Sequence, residues 1–471
     1  MIDPSGRIDS RASGRKCRPL FPFRYHERQD TMRFRSLVYA FIAGLIFQLQ
    51  PAIAQPAGGA NAAQKAGAAF SFAVYGDSRS MMQLPYKAEE EAQARELMTD
   101  MFELMSPEKV AKEIVQKDVK LIYDPKTHEL IQMVMPFFTR SEVTYLTMDK
   151  GVVTEASVED TKLLPGVRRT MFHRYGGDWV ARGVVGAVKS GQAKFILNTG
   201  DMVWWGKQGA KPSENPYWKL VHKNVLDQLP PPDDQMKAAG LPGRVFPAVG
   251  NHEVWEDSDV QGLLAAFPYL SKFGVTDKNL IYKFDFNGVR FIFLWTGKYD
   301  YRSTAEWDAT RPVFDAQMKQ LTTWLDEAKA AGTKKVFIAF HAPTFCRAGL
   351  GAIPESQNPH KFIKPYAKDM EIVVFNGHVH TTEYFEADGV KYFVMGGGGA
   401  EQDPILPGRS NAKVPADYPP DLYWKGESPR EDYNYMLVDV KPGAATKFTV
   451  NRFRPGSTEP FETVELFGPS K

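Results

Sequence analysis

Five short apolar runs in the sequence each end at side chains that can bind a metal ion. The runs are residues 70–75, 195–198, 245–249, 336–340 and 372–375. The side chains that follow them carry carboxylate, carboxamide or imidazole groups: Asp77, Asp201, Asn251, His341, His378 and His380. Such oxygens and neutral imidazole nitrogens are the ligands of hard and borderline divalent cations. The pattern predicts a metal centre built from several strand ends.

The number and types of these residues favour two adjacent metal ions. Six donors are too many for one four-coordinate zinc ion. His378 and His380 are separated by one residue, and in an extended chain their rings point to opposite sides. Cys17 and Cys346 are the only cysteines, which excludes a disulfide scaffold, a zinc finger and a four-thiolate iron–sulfur site.

The elements that must position these residues indicate an α/β fold. Short runs of apolar β-formers are typical of strands buried on both faces, and strand ends converge at one edge of an open α/β sheet. Residues 313–331 have apolar side chains at helical spacing and predict a crossover helix. Residues 289–295, 433–440 and 446–453 predict further strands, the last two antiparallel.

Glycines stand at the points where the chain leaves these strands. Asp77, Asp201, Asn251 and His378 each follow a glycine, which suits a sharp turn with a positive φ. No convincing helix follows the four-glycine run 396–399, so we expect a tight turn beneath the site loops rather than a phosphate-binding loop.

The connection 81–193 is longer than an ordinary crossover, and we expect it to form an insertion that caps the site. Within it, residues 87–105 predict a helix, and residues 118–135 predict a hairpin around a Pro-Lys-Thr-His turn. The proline-rich residues 403–423 predict an extended loop at the mouth of the pocket.

Residues 32–54 have the pattern of an export signal, with a basic start, a short apolar stretch and an Ala-Ile-Ala cleavage site. We expect cleavage after Ala54, a mature chain that begins at Gln55, and a periplasmic or secreted protein. The apolar stretch is shorter than the ~20 residues that span a bilayer, so no stable membrane anchor is expected.

The remaining boundaries follow from this assignment. Residues 1–31 are an upstream extension before the alternative start at Met32, residues 55–69 are an Ala/Gly-rich lead-in, and residues 70–471 are the catalytic domain. The segment after residue 54 has a net charge of −3, which gives no basic face for nucleic acid.

The order of the motifs resembles the calcineurin-like metallophosphoesterase superfamily, whose pattern is D-x-H, GD, GNH[DE], a lone H, and GHxH. Here the corresponding residues run from Gly76 to His380 and include GD, GNHE and GHVH. The resemblance implies a four-layer α-β-β-α sandwich, with the long insertion placed after the first motif strand.

The resemblance also implies a role for each motif residue. Asp201 would bridge two metals; Asp77 and His380 would complete the first, and Asn251, His341 and His378 the second. His252 would contact the substrate or protonate the leaving group. Two divalent or trivalent ions of Mn, Fe or Zn would activate a bridging hydroxide for in-line attack on a small-molecule phosphate ester.

One motif residue departs from the family pattern. Arg79 stands where the family has the His of D-x-H, and a guanidinium has no lone pair for a metal. Either water replaces that ligand, or the first metal is weak and Arg79 binds the substrate phosphate. The alternative function is a non-catalytic metal- or phosphate-binding protein; a nuclease or lipid phosphodiesterase would still be a hydrolase.

Trp204 occupies the position three residues after the GD aspartate, where purple acid phosphatases have a metal-binding tyrosine. An indole offers only an N–H donor, so we expect no ferric centre of that kind. Trp204 and Trp205 either line the substrate pocket or pack within the loop. His128, His173, His222 and His360 receive no role, and a surface or structural place is expected for them.

Overall fold

The computed structural model describes residues 67–79, 87–103, 108–136, 169–173, 176–207, 211–254, 257, 259–295, 304–346, 353, 357–400, 423–424, 433–454 and 459–466. Four segments named in the sequence analysis lie wholly or mostly outside these residues: the upstream extension, the export signal, the lead-in and the loop 403–423.

The strands are, in chain order, β1 (Phe70–Tyr75), β2 (Lys120–Tyr123), β3 (Leu130–Pro136), β4 (Arg169–His173), β5 (Ile196–Asn198), β6 (Val245–Pro247), β7 (Tyr282–Phe286), β8 (Val289–Phe293), β9 (Lys335–Ala339), β10 (Glu371–Asn376), β11 (Thr382–Ala387), β12 (Val390–Met395), β13 (Tyr423–Trp424), β14 (Tyr433–Val440), β15 (Lys447–Phe453) and β16 (Glu462–Leu466). The α-helices are α1 (Glu91–Glu103), α2 (Glu108–Lys117), α3 (Gly176–Lys189), α4 (Pro216–Asn224), α5 (Asp234–Ala238), α6 (Asn251–Val254), α7 (Gln261–Ala266), α8 (Thr304–Ala330) and α9 (His360–Ile363).

Two mixed sheets contain all five strands that precede the motifs. The six-stranded sheet has the order β16-β15-β14-β1-β5-β6, in which β1, β5 and β6 are parallel. The seven-stranded sheet has the order β13-β11-β12-β10-β9-β8-β7, in which β8, β9, β10 and β12 are parallel. The parallel strands direct their carboxyl ends to one edge of each sheet, as the sequence predicts.

An aromatic core packs between the sheets. The fully buried Phe72 of β1 meets Phe337 and Phe291 of the other sheet edge-on, with ring centroids 5.0 Å and 5.2 Å apart. Phe195, just before β5, meets Phe291 in the same way at 5.3 Å. Edge-to-face rings are a favourable arrangement in a close-packed core. This core fixes the two sets of strand ends against each other.

Helices cover the outer faces of both sheets. The buried side chains Phe314, Met318 and Leu321 of α8 cluster with Ile292 and Ile338 of the seven-stranded sheet. Helix α3 packs on β14 of the six-stranded sheet. The layers are therefore α-β-β-α, and the predicted fold class is confirmed.

Helix α8 begins earlier than the sequence suggests. The apolar spacing predicted a helix from residue 313, whereas α8 begins at Thr304 and contains Pro312. A proline lacks the backbone N–H of the helical ladder, so it is normally taken to mark a helix start.

The connection 81–193 contains elements of two kinds. The hairpin β2–β3 is antiparallel as predicted and forms a three-stranded sheet with β4, and α1 with α2 precedes it. The last part of the connection is α3, which belongs to the layered core.

Among the described residues, no helix combines the length and apolar character that a membrane crossing requires.

Candidate metal centre

Backbone hydrogen bonds join the loops at the carboxyl edge of the two sheets. The amide of Asp77 donates to the carbonyl of Gly200 (2.9 Å), and the amide of Gly377 donates to the carbonyl of His341 (2.7 Å). The amide of Gly76 donates to the carbonyl of Met395 across the sheets (3.0 Å). These bonds hold motifs that are far apart in sequence in one cluster.

The backbone is left-handed at the motif residues themselves. Asp77 and Asp201 each have a φ of 55°, and His378 has a φ of 67°. Of the four preceding glycines, only Gly200 has a positive φ, of 103°. The expectation that the glycines adopt this conformation is therefore right at one position and wrong at the other three.

Two of the other glycines, Gly250 and Gly377, leave room for carboxylates. A Cβ on Gly250 would lie 2.2 Å from Oδ1 of Asp201, and a Cβ on Gly377 would lie 2.4 Å from Oδ2 of Asp77. In the run 396–399, Gly398 leaves room for a neighbouring backbone segment, because a Cβ there would lie 2.1 Å from the carbonyl oxygen of Gly76. This agrees with the expected tight turn beneath the site loops.

Four of the predicted ligands place their donor atoms around one point, which we call the second cation position. Oδ1 of Asn251 lies 3.0 Å from Nε2 of His341 and 3.0 Å from Nδ1 of His378. Oδ2 of Asp201 lies 3.1 Å from Nε2 of His341. Ligands bonded at about 2.1 Å around one tetrahedral ion are separated by roughly 3.4 Å, so this donor set fits a metal ion.

The surrounding protein orients these ligands. Nδ1 of His341 donates to the carbonyl of Thr199 (2.9 Å), which leaves Nε2 facing the second cation position. Burial alone would lower the pKa of His341, but the carboxylates of Asp201, Asp77 and Glu253 raise it to about 9. A bound metal ion would therefore displace a proton from this ring.

The guanidinium of Arg79 lies among the remaining predicted ligands, at what we call the first cation position. Its Nη1 donates to Oδ2 of Asp201 (2.8 Å) and Oδ1 of Asp77 (3.4 Å), and its Nη2 lies 2.9 Å from Nε2 of His380. The Arg79 side chain is only 5% exposed. The atoms of Asp77, Asp201 and His380 that could bind a metal ion here already contact the guanidinium. They therefore do not fit a metal ion beside it.

Asp201 is shared by the two positions. Burial would raise the pKa of its carboxyl, but the charges of His341, His252 and Arg79 outweigh burial and hold the pKa well below its usual value. Its other oxygen, Oδ1, accepts the backbone N–H of His252 (3.0 Å). The carboxylate is thus fixed between Arg79 and the second cation position.

His252 and Trp204 form one wall of the centre. Nδ1 of His252 donates to the carbonyl of Trp204 (2.7 Å), so a neutral ring has its lone pair on Nε2, 3.7 Å from Oδ2 of Asp201. Burial, with the charge of Arg79 adding to it, lowers the pKa of His252 to about 3. The Trp204 ring lies against both this imidazole and the Arg79 guanidinium, 5.0 Å from the latter.

Glu253 is a residue of the site to which the sequence analysis assigned no role. It is fully buried and accepts the backbone N–H groups of Gly250 and Asp201 at Oε2 (2.8 Å each) and of Met202 at Oε1 (2.7 Å). Burial, followed by the charge of Asp201, raises its pKa to about 7. The last position of GNHE thus ties two motif loops together, a role that its acidic residue type could have signalled.

The other histidines lie outside the two cation positions. His128 is exposed, His222 is half-buried beside Asp227, and the buried His360 contacts Tyr392 and Asp388. The side chain of His173 is outside the described residues.

One family model matches part of the chain. The family model "Calcineurin-like phosphoesterase" matches residues 172–382, somewhat less than half of the chain. The matched segment contains every residue of the second cation position and His380, whereas Asp77 and Arg79 precede it. No curated protein that was compared with the chain matches it.

Several solved structures are distantly similar. A purple acid phosphatase from yellow lupin (Lupinus luteus) seeds is 12% identical, over 62% of this chain and 49% of the lupin chain, with a TM-score of 0.40. GAP50, described as the anchor in the inner membrane complex of Plasmodium, is 15% identical over 62% and 84%, with a TM-score of 0.38. A dimetal phosphatase from Danio rerio is 12% identical over 63% and 90%, with a TM-score of 0.38. The chain spans about half the length of the lupin phosphatase.

Residues 172–382 match the model of the calcineurin-like phosphoesterase family, which is the family that the motifs resemble.

Proposed function

We propose that the protein is an exported metal-dependent phosphoesterase that hydrolyses a small phosphate ester by in-line displacement with water. The observation that carries this proposal is the convergence of four metal-binding donors, from Asp201, Asn251, His341 and His378, beside the buried guanidinium of Arg79. A Mn, Fe or Zn ion held by those donors would supply Lewis acidity to a phosphoryl oxygen and to the attacking water.

The neighbouring side chains have complementary roles in this proposal. Arg79 offers a permanent positive charge and a planar set of N–H donors, which suit the oxygens of a phosphoryl group. Neutral His252 contacts the substrate through Nε2, and it can protonate a leaving oxygen only after it has first taken up a proton. Asn251 has its side-chain oxygen directed at the second cation position, so its amide NH₂ is available to the substrate.

The export part of the proposal rests on residues 32–54, whose basic, apolar and Ala-Ile-Ala segments have the order of a cleavable signal. N-terminal sequencing of the protein recovered from the periplasm or medium tests it, and Gln55 is the expected first residue. An uncleaved N-terminus, or a protein confined to the cytoplasm, would contradict this part.

The test of the activity is hydrolysis of p-nitrophenyl phosphate and bis-p-nitrophenyl phosphate after loading with Mn, Zn or Fe. Asp201→Asn keeps the size of the side chain but removes the charge shared by both cation positions, so we expect kcat/KM to fall at least 10²-fold. Asp227→Asn, at a carboxylate that is 65% exposed, is the matched control and should retain activity. Absence of metal-dependent hydrolysis of either ester in the wild type would contradict the proposal.

The second candidate function is a non-catalytic protein that binds a metal or phosphate. The observation that favours it is the position of Arg79, whose guanidinium contacts the Asp77 oxygen and the His380 nitrogen that would otherwise bind the first metal ion. This protein would bind a metal ion and inorganic phosphate in calorimetry without hydrolysing either ester.

A further inference from the structure

We infer that the Arg79 guanidinium replaces the first of the two expected metal ions, so that the centre binds one metal ion per chain. This inference rests on the proposed function, because it takes the second cation position to be a metal site. It changes the expectation of two metal ions to one metal ion and one built-in organic cation.

The guanidinium and a metal ion need the same acceptor atoms. Oδ2 of Asp201 and Nε2 of His380 lie 2.8 Å and 2.9 Å from the guanidinium nitrogens. An imidazole nitrogen that accepts from an N–H group uses the lone pair that a metal would require. His380 can therefore serve Arg79 or a metal ion, but not both.

Arg79 is held in place by the fold. Its backbone N–H donates to the carbonyl of Asp201 (3.3 Å), so the start of its side chain is tied to the GD loop. The Trp204 ring covers the guanidinium at 5.0 Å, a cation–π contact that is stronger away from water. Asp77 and Asp201 are at most 1% exposed. If the guanidinium moved away, two buried carboxylates would lose their permanent counter-charge.

The second cation position keeps all four of its predicted ligands. Oδ1 of Asn251 lies 3.0 Å from a ring nitrogen of His341 and 3.0 Å from a ring nitrogen of His378. Asp201 alone is shared, with Oδ2 lying 2.8 Å from Arg79 and 3.1 Å from His341. Asp201 would thus join a guanidinium to one metal ion.

The chemical consequence is a division of labour between the two cations. A guanidinium donates hydrogen bonds and carries charge, but it has no vacant orbital with which to acidify water. Arg79 can therefore bind and neutralise phosphoryl oxygens, whereas activation of the water depends on the second cation position alone.

The test is the number of metal ions per chain, measured by elemental analysis of the full mature chain after loading with excess Mn²⁺ or Zn²⁺ and gel filtration. We expect one ion in the wild type and two in Arg79→His, which restores the family's D-x-H motif. The double variant Arg79→His/His380→Ala should return to one ion. Two ions in the wild type, or one in a folded Arg79→His protein, would overturn the inference.

A matched pair of histidine variants gives an answer that does not depend on Arg79→His folding. His380→Ala removes a residue of the first cation position and should keep the single ion. His378→Ala, two residues earlier, removes a ligand of the second cation position and should bind the ion at least tenfold more weakly. Equal loss of metal from both variants would overturn the inference. No bound metal in the wild type would instead contradict the proposed function itself.

Discussion

Glu253 should be essential for the shape of the metal centre although it does not face either cation position. The proposed perturbation is Glu253→Gln, which keeps the size of the side chain and one oxygen. In the variant, that oxygen can take the place of Oε2, which accepts the N–H groups of Gly250 and Asp201 in the wild type. The new NH₂ group then takes the place of Oε1, which lies 2.7 Å from the backbone nitrogen of Met202 in the wild type. Two hydrogen-bond donors would face each other in a buried place.

The size of the effect follows from these contacts. Above pH 7, where the Glu253 carboxylate is charged, loss of one hydrogen bond to it costs about 1.5–3 kcal/mol, and a buried donor without a partner costs about 1–3 kcal/mol. Removal of a buried negative charge near Asp201 offsets part of this cost. We therefore expect Glu253→Gln to lower the free energy of unfolding by about 2–4 kcal/mol.

The assay is denaturant unfolding followed by circular dichroism, together with metal competition against a chelator. Because Glu253 holds the backbone of the loop that carries Asp201, metal affinity should fall about 10–100-fold. Glu89→Gln, on the exposed surface, is the control and should change stability by less than about 0.5 kcal/mol. A Glu253→Gln protein as stable as this control, with unchanged metal affinity, would refute the reasoning.

Two further predictions concern packing and pH. Gly250→Ala should weaken metal binding at least tenfold in calorimetry, because its Cβ would lie 2.2 Å from the Asp201 carboxylate. Gly186 is a helical glycine with no atom within 4 Å of an added Cβ, so Gly186→Ala should raise the free energy of unfolding by about 0.5–1 kcal/mol. An unaltered metal affinity in Gly250→Ala would contradict the close approach. Burial would raise the pKa of Glu371, but its hydrogen bond to Lys335 and the nearby positive charges outweigh burial and lower it. The Glu371 carboxylate therefore contributes its full stability when the pH is above about 4.3, the pKa of Glu in an unfolded chain. This contribution is lost as the pH falls through the lower pKa of Glu371 in the folded protein. Unfolding midpoints measured from pH 6 to pH 2 should show a shallower loss for Glu371→Gln, and parallel curves would count against this cause.

The strand ends could be predicted from the sequence because each combines an apolar run, a glycine and a metal-binding residue. Strand β1 was predicted with its observed ends, and β9 and β10 lie within one or two residues of their predicted ranges. A strand that is buried on both faces has a nearly continuous apolar sequence, so it can be recognised without knowing its neighbours. The start of α8 was missed because Pro312 lies inside it, which local propensity does not predict.

The arrangement within the site was less predictable than the residues that form it. The sequence marked Arg79 as a departure from the family pattern, and the expectation was that either water replaces the missing ligand or the first metal is weak and Arg79 binds the substrate phosphate. Its position between Asp201 and His380 depends on the packing of two sheets and on the Trp204 ring, which no local pattern contains. Likewise, the function of Glu253 lies in backbone amides from two loops that meet only in the folded chain.

The measurement that tests the central claim most directly is anomalous diffraction from crystals of the Mn-loaded protein, collected on both sides of the metal absorption edge. The account predicts one anomalous peak within bonding distance of Oδ2 of Asp201, Oδ1 of Asn251, Nε2 of His341 and Nδ1 of His378, with the Arg79 guanidinium between Asp77 and His380. A peak bound by Asp77 and His380, or no peak among the four donors, would contradict it.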